Sequence, residues 1–168
     1  CRVTPVRQFL NLNPIAVISE NFQRMVRAVP ARQLRQLTVE ISLTAWRRNV
    51  RAREDVLNRF ERFGIGLAID GIPVSELADL VERDIEGARY LKVNVAPFTP
   101  EEIEISLARC PKSILVKSIL CRCENADQIA AGVEGGIRYF QGYGLSNFLD
   151  SPEQVAAVLG DKAADNLI

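Results

Sequence analysis

Short runs rich in β-branched and aromatic residues alternate along this chain with longer stretches whose apolar residues recur at helical spacing. That alternation is the pattern of repeated βα units and predicts a parallel sheet. Val6 to Leu12 reads as the first strand, ended by Asn13-Pro14. Val17, Phe22, Met25, Val26 and Val29 then place a helix over 16–28, and Pro30 stops it. Leu37 to Leu43 is the second predicted strand, with Leu37, Val39 and Ile41 on one face and Thr38, Glu40 and Ser42 on the other. A helix over 49–63 carries Val50, Val56, Leu57 and Phe60 and closes at Gly64.

The rhythm continues. Gly66 to Asp70 reads as a strand, and Pro73, Val74, Leu77, Leu80 and Val81 as the helix after it. Arg89 to Val95 is the fourth strand, and Thr99-Pro100-Glu101-Glu102 opens a helix with a capping residue, an N1 proline and early acids. A fifth strand is predicted over Ser113 to Leu120, followed by a helix that Asn125 caps and that runs through Gly132. The sixth strand is Tyr139 to Gly142, with an irregular GLSNFLD segment and a last helix opened by Ser151-Pro152. Six successive units without a linker predict an incomplete TIM-type (β/α) barrel of α/β class, because eight units close one. An open doubly wound sheet is the alternative, yet no glycine-rich phosphate loop follows the first strand.

The 168 residues suffice for one domain, and 48% apolar with 25% charged residues describes a globular chain with a real core. The balance of 21 basic against 21 acidic side chains argues against nucleic acid as a partner, since phosphate binding normally leaves a basic excess. No histidine is present, which removes the commonest general base and the Ser-His-Asp and Cys-His arrangements. Cys1, Cys110, Cys121 and Cys123 form no CxxC pair and read as reduced, half-buried thiols. No window approaches the ~20 apolar residues of a membrane span, and no secretory signal stands at the start, so a cytoplasmic segment without membrane contact is expected. Since residue 1 is Cys rather than Met, the chain is expected to be a piece of a longer protein.

Barrel enzymes carry their chemistry at the C-terminal ends of the strands. Asn11, Glu40, Asp70, Lys92, Glu124 and Gln141 are the polar residues at or near those ends. Carboxylates, an amide and an ammonium brought together there suit a hard divalent cation and a phosphate. Two other groups draw a plainer reading. Arg47, Arg48, Arg51 and Arg53 beside Trp46 read as a solvated helix start balanced by Glu54 and Asp55. Tyr139, Phe140, Tyr143 and Phe148 read as core and strand-end packing rather than a base-stacking platform.

The strand-end residues resemble those of EAL domains, the barrel phosphodiesterases that open cyclic di-GMP. Residues 6–14 (VRQFLNLNP) resemble the strand with that family's metal-binding asparagine, Glu40 in LTVEIS its Glu-Leu-Thr-Glu signature, and GLAID the start of its Asp-Asp-Phe-Gly segment. YLKVN resembles its Leu-Lys-Ile-Asp strand, and FQGYGLSNFLDSPE its terminal Gln-Gly-Tyr element. The resemblance spans 1–168 as roughly the last three quarters of one EAL-like domain. It implies that Asn11, Glu40, Asp70 and Glu124 occupy metal-site positions, and Lys92 and Gln141 substrate or catalytic-lysine positions.

The departures shape the functional expectation. The Glu-Ala-Leu segment itself is absent, so if present it lies upstream. Gly71 stands for the second aspartate, Asn94 for the aspartate after the lysine, and Asn147-Phe148 for an arginine-proline near the nucleotide pocket. Leu120-Cys121-Arg122-Cys123-Glu124 stands where the family has Ala-Glu-Gly-Val-Glu, whereas the AGVE at 131–134 falls inside the following helix. Metal-activated water needs ligand charge that Gly71 and Cys121 do not supply, so hydrolysis is expected to be lost and no cofactor is expected, magnesium or manganese entering only with retained activity. A catalytically inactive regulatory module is the expected function, with a protein partner or a second copy and possible cyclic di-GMP; the apolar Gly71-Ile72-Pro73 stretch also points to it. The alternatives are a cyclic di-GMP receptor without hydrolysis, a residual phosphodiesterase, and a re-purposed barrel enzyme using Lys92 with Asp70 or Glu124.

Overall fold

Asn13, Ser19, Ser42, Thr99 and Asn125 each present a side-chain oxygen that accepts a backbone N–H three residues on, and so set where five helices begin. The computed structural model describes residues 7–150 and 153. Cys1, Val6 and the helix start expected at Ser151-Pro152 lie outside the described residues.

In chain order the described elements begin with strand β1 (Gln8–Asn11) and helices α1 (Pro14–Ile18), α2 (Glu20–Ala28) and α3 (Ala31–Leu34). Strand β2 (Leu37–Ser42) leads into α4 (Leu43–Arg48) and α5 (Val50–Phe63). Next come β3 (Gly66–Pro73), a 3-10 segment (Val74–Asp79), α6 (Glu82–Ile85) and β4 (Ala88–Asn94). Helices α7 (Pro100–Ala108) and α8 (Lys112–Leu115), strand β5 (Ser118–Cys121), α9 (Ala126–Glu134), β6 (Tyr139–Gln141) and α10 (Gly144–Leu149) complete the series. The strands stand in chain order, β1 through β6. The fold class is α/β, with the strand order of an incomplete (β/α) barrel.

The chain forms two compact units, one of residues up to Asp70 with Val81–Tyr90, the other of Gly71–Leu80 with residues from Leu91 on. In the first unit β1 runs parallel to β2 and β2 to β3. Both faces of β2 are covered: Val39 and Ile41 are buried on one side, Thr38 and Glu40 on the other. Such two-sided burial is the rule for parallel strands with flanking helices. Helices α2 and α5 pack through Phe22 and Phe60, whose ring centroids lie 6.4 Å apart. In the second unit β4, β5 and β6 are parallel. Leu91, Val93, Ile103, Leu107, Ile119, Leu120, Ile129 and Phe140 are buried within that unit.

Several local expectations are corrected. The helix expected over 16–28 breaks at Ser19, whose side chain caps α2 through the N–H of Phe22. Residues 43–48, read as the end of a strand and a connection, form α4 behind the Ser42 cap. The helix expected from Pro73 is a 3-10 turn and the single turn of α6, while β3 extends through Pro73. The fifth strand begins only at Ser118, because Pro111 opens the one-turn helix α8 over part of the β-branched run. GLSNFLD, expected to be irregular, contains α10.

The arginine cluster is also corrected. Arg47 donates through Nε and a terminal nitrogen to Oδ2 of Asp84, at 3.0 and 2.9 Å, and Asp84 is buried. Arg53 lies over the Trp46 ring, donates to the carbonyls of Trp46 and Arg83, and stands 3.9 Å from Asp84 Oδ1. These two arginines tie α4, α5 and α6 together, so Asp84 rather than Glu54 or Asp55 balances them.

Candidate functional site at the strand ends

Asn11 ends β1 beside Glu40, its register partner on β2. The Leu12 N–H donates to the Glu40 carbonyl at 3.0 Å, continuing the ladder one step past β1. Glu40 pairs in register with Ala68, and Ser42 with Asp70. Because alternate residues of a strand share a face, Asn11, Glu40 and Asp70 occupy one face of the first unit, with Asp70 one step nearer the strand ends. Glu40 is buried, Asp70 half-buried and Asn11 exposed. One amide and two carboxylates of the expected set are thus brought onto one side.

Gly71, directly after Asp70, takes φ +72 and has open space where a Cβ would stand. The stretch after it is not an exposed apolar loop: Ile72, Val74 and Leu77 are fully buried. The 3-10 segment packs against α7, and the apolar replacement there is core rather than a partner surface. That corrects one motive for expecting an interaction module.

In the second unit, Lys92, Ile119 and Tyr139 stand in register across β4, β5 and β6, and Asn94, Cys121 and Gln141 form the next row on the same face. This upper row is amide, thiol, amide, without a carboxylate. Lys92 is buried and Gln141 exposed. The Cys121 thiol is 3.5 Å from the carbonyl of Ile119 and 3.6 Å from the side-chain oxygen of Gln141.

Strand β5 ends abruptly at Cys121 because Arg122 adopts φ +62. Cys121 and Cys123 therefore do not share a strand face. The Cys123 N–H donates to the Gln141 carbonyl, and its thiol to the carbonyl of Leu120. Burial pushes the Cys123 thiol up to about 11, and burial also raises that of Cys110. Cys110, Cys121 and Cys123 are free thiols.

Glu124 is exposed at the end of this turn. Its N–H donates to Oε1 of Gln128 at 2.8 Å, and the Gln128 amide nitrogen donates to the carbonyls of Val95 and Phe98. Buried Gln128 thus ties the turns after β4 and β5 together. Sequence reading passed over it, although Asn125-x-x-Gln128 carries the spacing of a capping box. Among the four aromatic residues assigned to packing, Phe140 and Phe148 are buried, but Tyr143 is 94% exposed and belongs to the surface.

The solved structure of the YkuI protein of Bacillus subtilis, which has an EAL domain and is in complex with its substrate cyclic di-GMP and calcium, aligns with 86% of this chain at a TM-score of 0.65 and 22% identity. The fold is EAL-like. This EAL-like chain spans 38% of the length of the YkuI chain, and the likeness at this identity establishes the fold rather than the chemistry. No family model and no curated protein matches it.

Divalent cations of the hydrolytic kind require oxygen ligands with net negative charge, and two-metal sites require enough of them to hold ions ~4 Å apart. Among the described residues no three His, Cys, Asp or Glu side chains gather where a metal ion could be held. The Asn94–Cys121–Gln141 row of the second unit carries no carboxylate. Among the described residues no helix is long and apolar enough to cross a membrane.

Proposed function

We propose that this EAL-like domain serves cyclic di-GMP signalling as a regulatory module that does not hydrolyse the nucleotide. The observation that carries the reading is the register of Cys121 between Asn94 and Gln141, a strand-end row of three uncharged side chains. A phosphodiester hydrolase of this fold needs carboxylates there to lower the pKa of a bound water from 15.7 toward 7, and neither thiol nor amide supplies that charge. Asn11, Glu40, Asp70 and Glu124 are on this reading the remnants of a metal site, and Lys92 and Gln141 those of a substrate site. The domain acts in the cytoplasm through a protein partner or a second copy, needs no cofactor, and contacts neither nucleic acid nor membrane.

A second reading, binding of cyclic di-GMP without hydrolysis, is favoured by Lys92 and Gln141 on one face of the second unit. Calorimetric titration with cyclic di-GMP, with and without magnesium, separates the two when the recovered nucleotide is checked for cleavage. Binding with intact nucleotide supports the receptor, absence of binding supports the partner-directed module, and cleaved nucleotide contradicts both.

A further inference from the structure

We propose that the groove between α2 and α5 in the first unit is a docking site for an acidic segment of a partner protein, received by the guanidinium groups of Arg27, Arg59 and Arg62. The inference rests on the reading of this domain as a regulatory module that works through a partner, and it adds the surface and the chemistry of that partner.

Gln23 and Arg27 stand one turn apart on α2, and with Arg59, Arg62 and Phe63 of α5 they line an open groove of about 270 Å³. Asp55 and Asn58, also on α5, complete its wall. Neighbours within the groove place two of the guanidinium groups. The Gln23 amide oxygen, turned toward its donors, accepts from both terminal nitrogens of Arg59 at 2.7 and 2.9 Å. The guanidinium carbon of Arg62 lies 5.5 Å from the centre of the Phe63 ring. These contacts position the arginines without neutralising them. None of Arg27, Arg59 and Arg62 makes an ion pair among the described residues, and Asp55 is the single carboxylate that lines the groove. Arg27 and Arg62 each stand in the last turn of a helix, where the dipole favours a cation. That accounts for charge at two positions, but not for three guanidinium groups gathered in one groove.

The chemistry of the groove selects carboxylates. Every basic side chain of the first unit is an arginine, and these outnumber its acids. The guanidinium fork meets a carboxylate with two parallel N–H donors, where an ammonium offers only a point charge. A phosphate site typically adds the free backbone N–H groups of a helix start. This groove instead runs along the middle and last turns of α2 and α5 and offers side chains alone. Asp55 would repel a phosphate. On a peptide, Asp55 and the Asn58 amide oxygen meet backbone N–H groups of the same segment that brings the acids. Small-molecule pockets enclose roughly 300–1,000 Å³, so a groove of this size suits side chains of a docked segment.

The test follows the fluorescence anisotropy of a labelled oligoglutamate peptide with the full chain, its R27E/R62E variant and an R48E/R51E variant, in low and in moderate salt. Arg48 and Arg51 lie in the same unit outside the groove, so the second variant carries the same change in net charge. All four arginines are exposed, and melting temperatures check that both variants fold. The expected result is binding that salt weakens, that falls roughly tenfold in R27E/R62E, and that changes far less in R48E/R51E. Equal losses in the two variants, or no binding of the peptide, overturn the proposal. Two further readouts separate the other occupants. Self-association in sedimentation velocity that R27E/R62E abolishes makes the groove a contact between copies, and tighter binding of inorganic pyrophosphate than of the peptide makes it a phosphate site; either outcome overturns the proposal. Cleavage of cyclic di-GMP is read separately: it contradicts the regulatory reading, while the groove is still decided by the affinity of the peptide.

Discussion

Cys121 on β5 and Gln141 on β6 stand in register, and the thiol lies 3.6 Å from the amide oxygen it donates to. A carboxylate at position 121 would face that oxygen with like polarity and seek a cation instead. The thiol satisfies the amide oxygen locally and brings no carboxylate to this row.

Replacing Cys121 by Glu and Gly71 by Asp together restores two carboxylates to the strand ends. We expect magnesium to raise the melting temperature of this double variant and to leave the wild type unchanged. In the absence of metal the variant is destabilised, by about 1–3 kcal/mol for a carboxylate at buried position 121 and by about 1–2 kcal/mol for a side chain at the left-handed position 71. A thermal-shift series with and without magnesium reads both effects.

The buried Asp84 carboxylate is held by Arg47 and approached by Arg53. Asp84→Asn leaves arginine charge facing a neutral amide and should cost about 1–3 kcal/mol, the range for lost hydrogen bonds to a charged group, because Arg47 keeps access to water. Asp79→Ala removes a pair with Arg109 in which both side chains are mostly exposed, and should change stability by about 0.5 kcal/mol at most. Urea denaturation of the two variants under identical conditions tests the contrast.

Legibility followed the strength of local signals. The caps at Asn125 and Thr99 and the stop at Gly64 were readable because each is a side-chain or backbone requirement confined to a few residues. The strand from Ser113 was misplaced because Ile114, Val116 and Ile119 satisfy β propensity equally well; Pro111 and the tertiary context decide for α8. Asn11 and Gln141 could be placed at the ends of β1 and β6, since polar residues closing apolar runs are conspicuous. Arg122 could not, because its significance lies in a dihedral angle, nor could the pairing of Arg47 with Asp84, thirty-seven residues apart in sequence.

The Cys123 thiol, raised to about 11 from an ordinary 9.0, makes stability depend on alkaline pH. The unfolded thiol ionises first, so the folded state retains a proton that the unfolded state has lost, and stability falls as pH rises from 9 toward 11. The loss is on the order of 3 kcal/mol at the upper end. Cys110 is shifted in the same direction and adds to the slope. Cys123→Ala should flatten most of it, as measured by denaturant midpoints between pH 8 and 11.

Arg122→Gly should stabilise the fold. The left-handed conformation costs an L-residue about 1–2 kcal/mol, from which the greater chain entropy of glycine subtracts about 0.5–1. A net gain of about 0.5–1 kcal/mol is expected. By contrast, Gly142→Ala and Gly144→Ala drive a methyl into the backbone of residues 123–125 and should lower the melting temperature sharply. Differential scanning calorimetry of the three variants orders them.

The central claim is that an EAL-like fold here lacks the hydrolytic chemistry. Its most direct test is prolonged incubation of the full chain with cyclic di-GMP in magnesium and in manganese, followed by chromatography of the nucleotide. The account predicts that the cyclic form is recovered unchanged, at the level of a protein-free control. Conversion to a linear product that requires the metal and is abolished by Glu40→Gln would contradict it.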